Sequence, residues 1–214
     1  QAVVRGCKAP LVVGDMPFMS YNVSIPEAVS NAGRLMKEGG CDVVKLEGGL
    51  DFAPTVRAIV KAGIPVMGHI GLTPQTASAL GGFKTQGRDL EGARQIIEDA
   101  GALEEAGAFS LILEAVPAPL GKLVADSVQI PVIGIGAGSD VDGQVLVTHD
   151  LIGLFDKFVP RFVKQYTRIR TSILEALANY KHEVQEQSFP AEEHCFSMPE
   201  DTLKELKKSL GKTD

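Results

Sequence analysis

The chain has 214 residues, of which 44% are hydrophobic, so it can form one domain with a sizeable core. Its net charge of −6 argues against a nucleic-acid partner, because neutralising phosphates requires a basic face. No apolar run approaches the roughly 20 residues needed to cross a bilayer, so we expect no membrane partner. We find no signal peptide, and the three cysteines are widely separated, which indicates a reducing, cytoplasmic location.

Strand-like and helix-like segments alternate along the chain. Short β-branched runs bounded by glycine or proline predict strands, and apolar residues at helical spacing predict helices. The clearest helix start is Ser24, with Pro26 in the first turn and Glu27 three residues after the cap. The predicted strands cover residues 11–15, 42–47, 64–69, 109–114, 130–136 and 144–147. The predicted helices cover residues 1–8, 25–38, 51–62, 90–106, 119–127 and 158–184, the last as one helix or two.

This alternation predicts a parallel sheet covered by helices. A closed barrel of this kind needs eight strands, whereas six are predicted here. Either the sheet is open and doubly wound, or two β-α units are missing upstream, and the helix end at residues 1–8 favours the second alternative. We place a barrel-type domain at residues 1–184 and a polar C-terminal tail at residues 185–214.

The central predicted strand carries ionisable residues on one face. Because side chains alternate along a strand, Lys45 and Glu47 point to one side, and Val44 and Leu46 point to the other. The polar pair should lie in the cleft at the carboxyl end of the strand, where parallel α/β folds place their chemistry. A structural ion pair is the simpler alternative, although a buried ion pair is weak evidence for stability.

Three other predicted strands end in Asp15, His69 and Glu114. Four strand tips in a row are hard to explain as helix caps, so they indicate a shared site. Carboxylates with at most one histidine favour Mg²⁺, which prefers oxygen ligands and keeps waters that a substrate can displace. Asp15 and Glu47 are therefore candidate metal ligands, directly or through water. Lys45 is the candidate hydrogen-bond donor to an anionic substrate, and the alternative is a structural counter-ion of the acids. A Schiff-base lysine is less favoured, because the adjacent acids would keep the amine protonated.

Glu114 is the candidate general base. It follows the apolar run 111–113, and such surroundings disfavour the charged form of a carboxylate, which suits removal of a proton next to a carbonyl. The alternative is a carboxylate that caps the next helix. His69 is either a direct substrate contact or a hydrogen-bonding residue that positions another group.

Two glycine-rich segments follow strands. The connection at residues 70–88 is long for a compact domain and predicts a lid over the site. Residues 134–138 do not complete a G-x-G-x-x-G pattern, because Ser139 occupies the last position, so a dinucleotide-binding fold is disfavoured. Glycines here let the backbone approach a ligand or leave space inside a barrel.

Several motifs, taken in order, resemble the ketopantoate hydroxymethyltransferase family over about residues 1–196. Each motif alone is weak, and the ordered combination makes the resemblance specific. The motifs are Gly14-Asp15-Met16-Pro17-Phe18, Val44-Lys45-Leu46-Glu47-Gly48-Gly49, Gly68-His69-Ile70-Gly71-Leu72-Thr73-Pro74-Gln75, Leu113-Glu114-Ala115-Val116-Pro117, residues 130–138 followed by Asp142-Gly143-Gln144, and Phe189-Pro190-Ala191-Glu192-Glu193-His194.

The resemblance implies a (βα)8 TIM-type barrel of the phosphoenolpyruvate/pyruvate superfamily, usually a homodecamer, that acts in pantothenate biosynthesis. The family transfers a hydroxymethyl group from 5,10-methylenetetrahydrofolate to the keto acid 3-methyl-2-oxobutanoate, through an enolate that Mg²⁺ stabilises, and forms 2-dehydropantoate. By position, Asp15 resembles a Mg²⁺ ligand that also contacts the keto acid, and Lys45 resembles the substrate-binding lysine. Glu47 resembles a metal-associated carboxylate, and Glu114 resembles the proton acceptor.

The resemblance also implies that about the first two β-α units of the family are absent from this chain. Those units carry a Gly-Asp-Ser motif, whose aspartate is a principal Mg²⁺ ligand and whose serine binds the keto acid. We therefore expect this segment alone to be poorly active. Three alternatives stay open: another Mg²⁺-dependent enolate lyase or mutase of the superfamily, a non-catalytic subunit, and a flavodoxin-like binding module.

Overall fold

A computed structural model describes residues 1–79 and 81–212 of the chain. Its internal contacts divide it into two units. The first comprises Gln1–Thr148 and Phe158–Lys164, and the second comprises His149–Lys157 and Gln165–Asp214. Among the described residues, none of the helices combines the length and the hydrophobicity needed to cross a lipid bilayer.

The described part of the first unit contains one parallel sheet of six strands, whose spatial order follows the chain. The strands are β1 (Val13–Asp15), β2 (Val43–Glu47), β3 (Val66–Gly71), β4 (Ser110–Glu114), β5 (Val132–Ile135) and β6 (Gly143–Gln144). The α-helices among the described residues are α1 (Ala2–Gly6), α2 (Ile25–Arg34), α3 (Ala53–Lys61), α4 (Leu90–Glu105), α5 (Ala118–Ser127), α6 (Thr148–Leu151), α7 (Ile169–Gln185) and α8 (Glu200–Ser209). A doubly wound sheet reverses its strand order at a switch point, whereas this order runs on without reversal, as it does around a barrel.

Strand register sorts the sheet residues into two faces. Asp15 pairs with Lys45, Glu47 with His69, and Glu114 with Gly71. Because register partners share a face and alternate residues on a strand share a face, all of these positions lie on the same side. The other side packs under the helices, and its members are almost completely buried: Val44, Leu46, Val66, Ile70, Leu111, Leu113 and Val132.

Helix α4 shows how the helices pack on that apolar side. It begins after Asp89, whose Oδ1 accepts a hydrogen bond from Gly92 N at 2.8 Å. Its buried residues are Ile96, Ala100 and Leu103. A Cβ atom at Gly68 would lie 2.7 Å from Leu103 Cδ1, so glycine at this position of β3 allows the helix to pack closely on the sheet. Close packing here holds the strand that carries His69.

Most predicted elements are confirmed, with ends shifted by a few residues. Ser24 caps α2 as predicted, because its Oγ accepts a hydrogen bond from Glu27 N. The helix predicted from residue 158 is wrong over residues 158–168, because α7 begins only at Ile169. Instead, Tyr166 N donates to Leu151 O at 2.8 Å and Ile169 N donates to Ile152 O at 3.1 Å. These bonds tie the backbone to an earlier segment of the second unit and prevent helical hydrogen bonds.

The second unit contains α7 and α8, whose residues are exposed or half-buried. A small aromatic cluster links α7 to the segment that follows it. The ring centroid of Phe189 lies 5.7 Å from that of Tyr180 and 5.0 Å from that of His194. The proposed boundary between residues 184 and 185 stays a prediction.

Candidate active site

The sequence-predicted site residues meet at the carboxyl ends of β1, β2, β3 and β4. Lys45 Nζ lies 2.8 Å from Asp15 Oδ1 and 3.2 Å from His69 Nδ1. His69 Nε2 lies 3.1 Å from Glu114 Oε2. Asp15, Lys45, His69 and Glu114 thus form a continuous series of polar contacts, which we call the strand-end chain. It joins a carboxylate on β1 to a carboxylate on β4.

The contacts of His69 indicate its tautomer. An ammonium group can only donate hydrogen bonds, so His69 Nδ1 must accept from Lys45. In the neutral ring the proton then lies on Nε2, on the side of Glu114. The approach to Glu114 Oε2 is oblique, and Nε2 makes no regular hydrogen bond within the described residues. His69 therefore presents a buried N–H to the Glu114 carboxylate.

The three acids differ in their access to a ligand. The side chain of Asp15 is 56% exposed, that of Glu114 is 14% exposed, and that of Glu47 is 4% exposed. Asp15 can therefore be reached directly by a ligand from solvent. Glu114 is partly sheltered, which suits a base that must act away from bulk water.

Glu47 faces the strand-end chain from a buried position. Its Oε2 accepts a hydrogen bond from Gln75 N at 3.0 Å, and its Oε1 lies 3.8 Å from His69 Nδ1. Burial raises the pKa of the Glu47 carboxyl, and the hydrogen bond from Gln75 N and the nearby Lys45 ammonium partly offset that rise. Glu47 thus contributes a carboxylate that is already held on one side by the backbone.

Sequence reasoning missed two residues that hold this arrangement together, Gln75 and Tyr21. Gln75 Nε2 donates to Met16 O at 3.0 Å, and the Tyr21 hydroxyl donates to Gln75 Oε1 at 2.9 Å and accepts from Glu47 N at 3.3 Å. Burial raises the pKa of Tyr21 to about 12, so its hydroxyl stays protonated at neutral pH. Gln75 ends the motif of residues 68–75, but no pattern in the sequence around it indicates that its side chain reaches the loop after β1.

The backbone beside Glu114 is tightly constrained. Gly71 adopts a φ of +85°, and a Cβ atom there would overlap the carbonyl oxygen of Glu114. Leu72 N donates to that same oxygen at 2.9 Å. Ala115 has a φ of +50°, an uncommon conformation for a residue with a side chain, and its N donates to Ile135 O at 2.8 Å. These contacts fix where β4 delivers the Glu114 side chain.

A cavity of about 610 Å³ in the first unit has Glu114 on its wall. The wall combines aromatic rings, two cations and the turn after β5. Its lining residues are Leu72, Phe83, Lys84, Thr85, Glu114, Ala115, Val116, Ala118, Gly136, Gly138, Phe158, Pro160, Arg161 and Phe162. The glycine-rich turn of residues 134–138 thus borders a cavity next to the candidate base. The function predicted for residues 70–88 as a lid stays a prediction.

Comparison with known proteins identifies the family. The sequence profile described as ketopantoate hydroxymethyltransferase matches residues 1–192. The chain belongs to the ketopantoate hydroxymethyltransferase family. Its predicted enzyme class, a hydroxymethyltransferase, is confirmed, because similar curated proteins carry the name 3-methyl-2-oxobutanoate hydroxymethyltransferase.

Three such relatives show how much of the length of a family member this chain covers. The Moorella thermoacetica protein is 59% identical over 196 residues, which cover 92% of this chain and 73% of the relative. The Heliobacterium modesticaldum protein is 57% identical over 204 residues, which cover 95% of this chain and 74% of the relative. The Oleidesulfovibrio alaskensis protein is 53% identical over 214 residues, with coverage of 100% and 74%. The chain therefore spans about three quarters of the length of these ketopantoate hydroxymethyltransferases.

A solved structure supports the predicted fold. A proposed phosphonomutase from Burkholderia cenocepacia superposes with a TM-score of 0.51 at 14% identity, over 86% of this chain and 72% of that protein. The prediction of a TIM-type α/β fold is confirmed, and the described residues supply six of its parallel strands. The assignment to the phosphoenolpyruvate/pyruvate superfamily stays a prediction. The flavodoxin-like alternative is wrong, because the strand order does not reverse.

Membership of the ketopantoate hydroxymethyltransferase family implies a bound Mg²⁺, so we ask whether the carboxylates of the site could hold this ion. Within residues 1–79 and 81–212, no three His, Cys, Asp or Glu side chains are arranged to hold a metal ion. Mg²⁺ often takes only one or two carboxylates and completes its shell with water and substrate oxygens. The half-exposed Asp15 fits that pattern as a single carboxylate donor. Glu47, which is buried and bonded to Gln75 N, fits as a donor through a bridging water.

Proposed function

We propose that the strand-end chain binds and enolises 3-methyl-2-oxobutanoate. The enolate then receives a hydroxymethyl group from 5,10-methylenetetrahydrofolate and becomes 2-dehydropantoate, in pantothenate biosynthesis. The observation that carries this proposal is the linkage of Lys45 through His69 to Glu114, which joins an anion-binding cation to a carboxylate base. Membership of the hydroxymethyltransferase family supports the reaction type.

Lys45 and Asp15 form the binding end of the strand-end chain. The Lys45 ammonium, oriented by Asp15, donates hydrogen bonds to the carboxylate of the keto acid. Bound at Asp15, with Glu47 acting through water, Mg²⁺ would polarise the ketone oxygen as a Lewis acid. Asp15 thus has two roles, as a counter-ion of Lys45 and as a metal donor.

Glu114 and His69 form the reactive end. Glu114 removes the proton from C3 of the keto acid, and the electron pair of the broken C–H bond moves toward the ketone. The Nε2 atom of His69 lies 3.1 Å from Glu114 Oε2, and in the complex we expect its N–H group to orient that carboxylate toward C3. The left-handed turn at Ala115 fixes the backbone on the other side of Glu114.

The transfer consumes one water molecule. The methylene carbon of the folate loses its two bonds to nitrogen and gains one bond to C3 and one bond to the water oxygen. Of the two protons needed by the nitrogen atoms, one comes from the water and the other from C3 through Glu114. The products are 2-dehydropantoate and tetrahydrofolate.

The remaining parts of the proposal concern assembly and context. We propose that the chain assembles as a homodecamer and acts in the cytoplasm, as the resemblance implies. We also propose residues 1–184 as the barrel domain. The family assignment favours the hydroxymethyltransferase over the lyase and mutase alternatives, and the non-catalytic alternative is an outcome of the experiment below.

The experiment separates binding from chemistry with two substitutions. We expect Lys45→Met to weaken binding of 3-methyl-2-oxobutanoate at least about tenfold in calorimetry, because hydrogen bonds to charged groups are the strong ones. We expect Glu114→Gln to leave that affinity within about twofold and to lower kcat by about 10²- to 10⁴-fold, as for loss of a general base. Lys61→Ala removes an exposed lysine at the end of α3 and serves as the control.

Two outcomes would contradict the proposal. If Glu114→Gln retains the turnover of the parent chain, Glu114 is not the base. If the parent chain binds no keto acid in the presence of Mg²⁺, the non-catalytic alternative is supported instead.

A further inference from the structure

The cavity beside Glu114 has the size and lining of a small-molecule site. Its volume of about 610 Å³ falls within the range of ligand pockets, roughly 300 to 1,000 Å³. It lies wholly within the first unit and shares Glu114 with the strand-end chain. The keto acid is assigned to the Lys45 end of that chain, so the cavity is open to a second ligand.

Aromatic rings on the cavity wall favour a flat ligand. Phe83 is 71% exposed and Phe158 is 64% exposed, so a ligand in the cavity can reach both rings. Phe162 is held in place, because it packs against Leu72 and Ala115, and a Cβ atom at Gly136 would lie 2.6 Å from its ring. One fixed ring and two exposed rings provide faces on which a planar heterocycle can stack.

Two cations among the lining residues favour an anionic ligand. Lys84 and Arg161 line the cavity, and neither forms an ion pair with an acid in the described part of the chain. In a chain whose net charge is −6, cations without an acidic partner beside a cavity indicate that the cavity binds an anion. Glu114 is the one acid among the lining residues, and its charge disfavours a carboxylate beside it. The wall therefore suits a neutral ring near Glu114 and carboxylates near the cations.

From this lining we infer that the cavity binds a planar, carboxylate-bearing cosubstrate, with its ring against Phe83 and Phe158 and its carboxylates paired with Lys84 and Arg161. Reduced folates, the class of the one-carbon donor, have this chemistry, so the inference rests on the proposed function. Both ligands would then contact Glu114, the residue that the strand-end chain and the cavity share.

Calorimetric binding of tetrahydrofolate to the full chain tests the inference without requiring turnover. We expect Lys84→Ala and Arg161→Ala each to weaken binding about tenfold, because each removes a charge-assisted contact. We expect Phe158→Ala to weaken it by a similar factor and Phe158→Tyr to restore most of the loss, because a phenol ring still stacks. Lys61→Ala should bind as the parent chain does, and all five variants should keep the parent affinity for 3-methyl-2-oxobutanoate.

The two proposals fail in different ways. If the parent chain does not bind tetrahydrofolate, or if the Lys84, Arg161 and Phe158 variants bind it as tightly as the parent does, the cavity is not the donor site. Loss of keto acid binding by the parent chain would overturn the proposed function instead. If that occurs while tetrahydrofolate binding still depends on Lys84 and Arg161, the cavity assignment stands alone.

Discussion

The hydrogen bond between Tyr21 and Gln75 should couple the loop after β1 to the loop after β3 in a measurable way. Tyr21→Phe removes a buried hydroxyl that donates to Gln75 Oε1 and accepts from Glu47 N. Gln75→Ala removes the bond from Tyr21 and the bond to Met16 O. At about 1 kcal/mol net for each hydrogen bond, each substitution should lower the free energy of unfolding by about 2 kcal/mol.

The two substitutions share one bond, so the double variant should lose less than the sum of the single variants. We expect a coupling free energy of about 1 kcal/mol from a double-mutant cycle in urea, followed by circular dichroism. Tyr180→Phe provides the matched control, because Tyr180 is exposed and contacts Phe189 through its ring. Its effect should add to that of Gln75→Ala within about 0.5 kcal/mol. Additive effects of the Tyr21 and Gln75 substitutions would refute the proposed link between the loops.

Three further predictions test the charge, the backbone and the relay at the site. Burial raises the pKa of Glu47 above its ordinary value of 4.5, so the folded chain binds this proton more tightly than the unfolded chain does. The free energy of unfolding should therefore fall as pH rises from 4.5 through the raised pKa, and Glu47→Gln should abolish that fall in urea titrations at several pH values. If the variant shows the same dependence of the free energy of unfolding on pH, the prediction is contradicted. Gly71→Ala should destabilise the chain by at least about 2 kcal/mol, because φ is +85° and the new Cβ would overlap Glu114 O, whereas a loss below about 0.5 kcal/mol would show that the turn can relax. His69→Gln should lower kcat about tenfold or more while keto acid affinity stays within about twofold, and equal losses in both would indicate a general structural defect.

The sheet and its ionisable tips were predictable because both follow from local patterns. Alternation along a strand places Lys45 and Glu47 on one face, and a parallel sheet brings the ends of neighbouring strands together. These two rules also place Asp15, His69 and Glu114 at the same edge. The register then explains two of the contacts, since Asp15 lies opposite Lys45 and Glu47 lies opposite His69.

The supporting contacts were not predictable, because they depend on long-range loop geometry. Tyr21 and Gln75 are 54 positions apart and belong to different loops, so no spacing rule connects them. The cavity likewise joins Phe83 and Lys84 to Phe158 and Arg161. The prediction of a helix from residue 158 concealed this cavity wall, because α7 begins only at Ile169 and the residues that line the cavity lie before it.

The central claim is that Glu114, assisted by His69, removes the C3 proton of a keto acid held by Lys45. The most direct measurement is the exchange of that proton for deuterium, followed by proton NMR in D₂O with Mg²⁺ and without folate. We expect the parent chain to exchange the proton faster than buffer alone does, and Glu114→Gln to lower that rate at least about 100-fold. Exchange at the parent rate in Glu114→Gln would contradict the central claim.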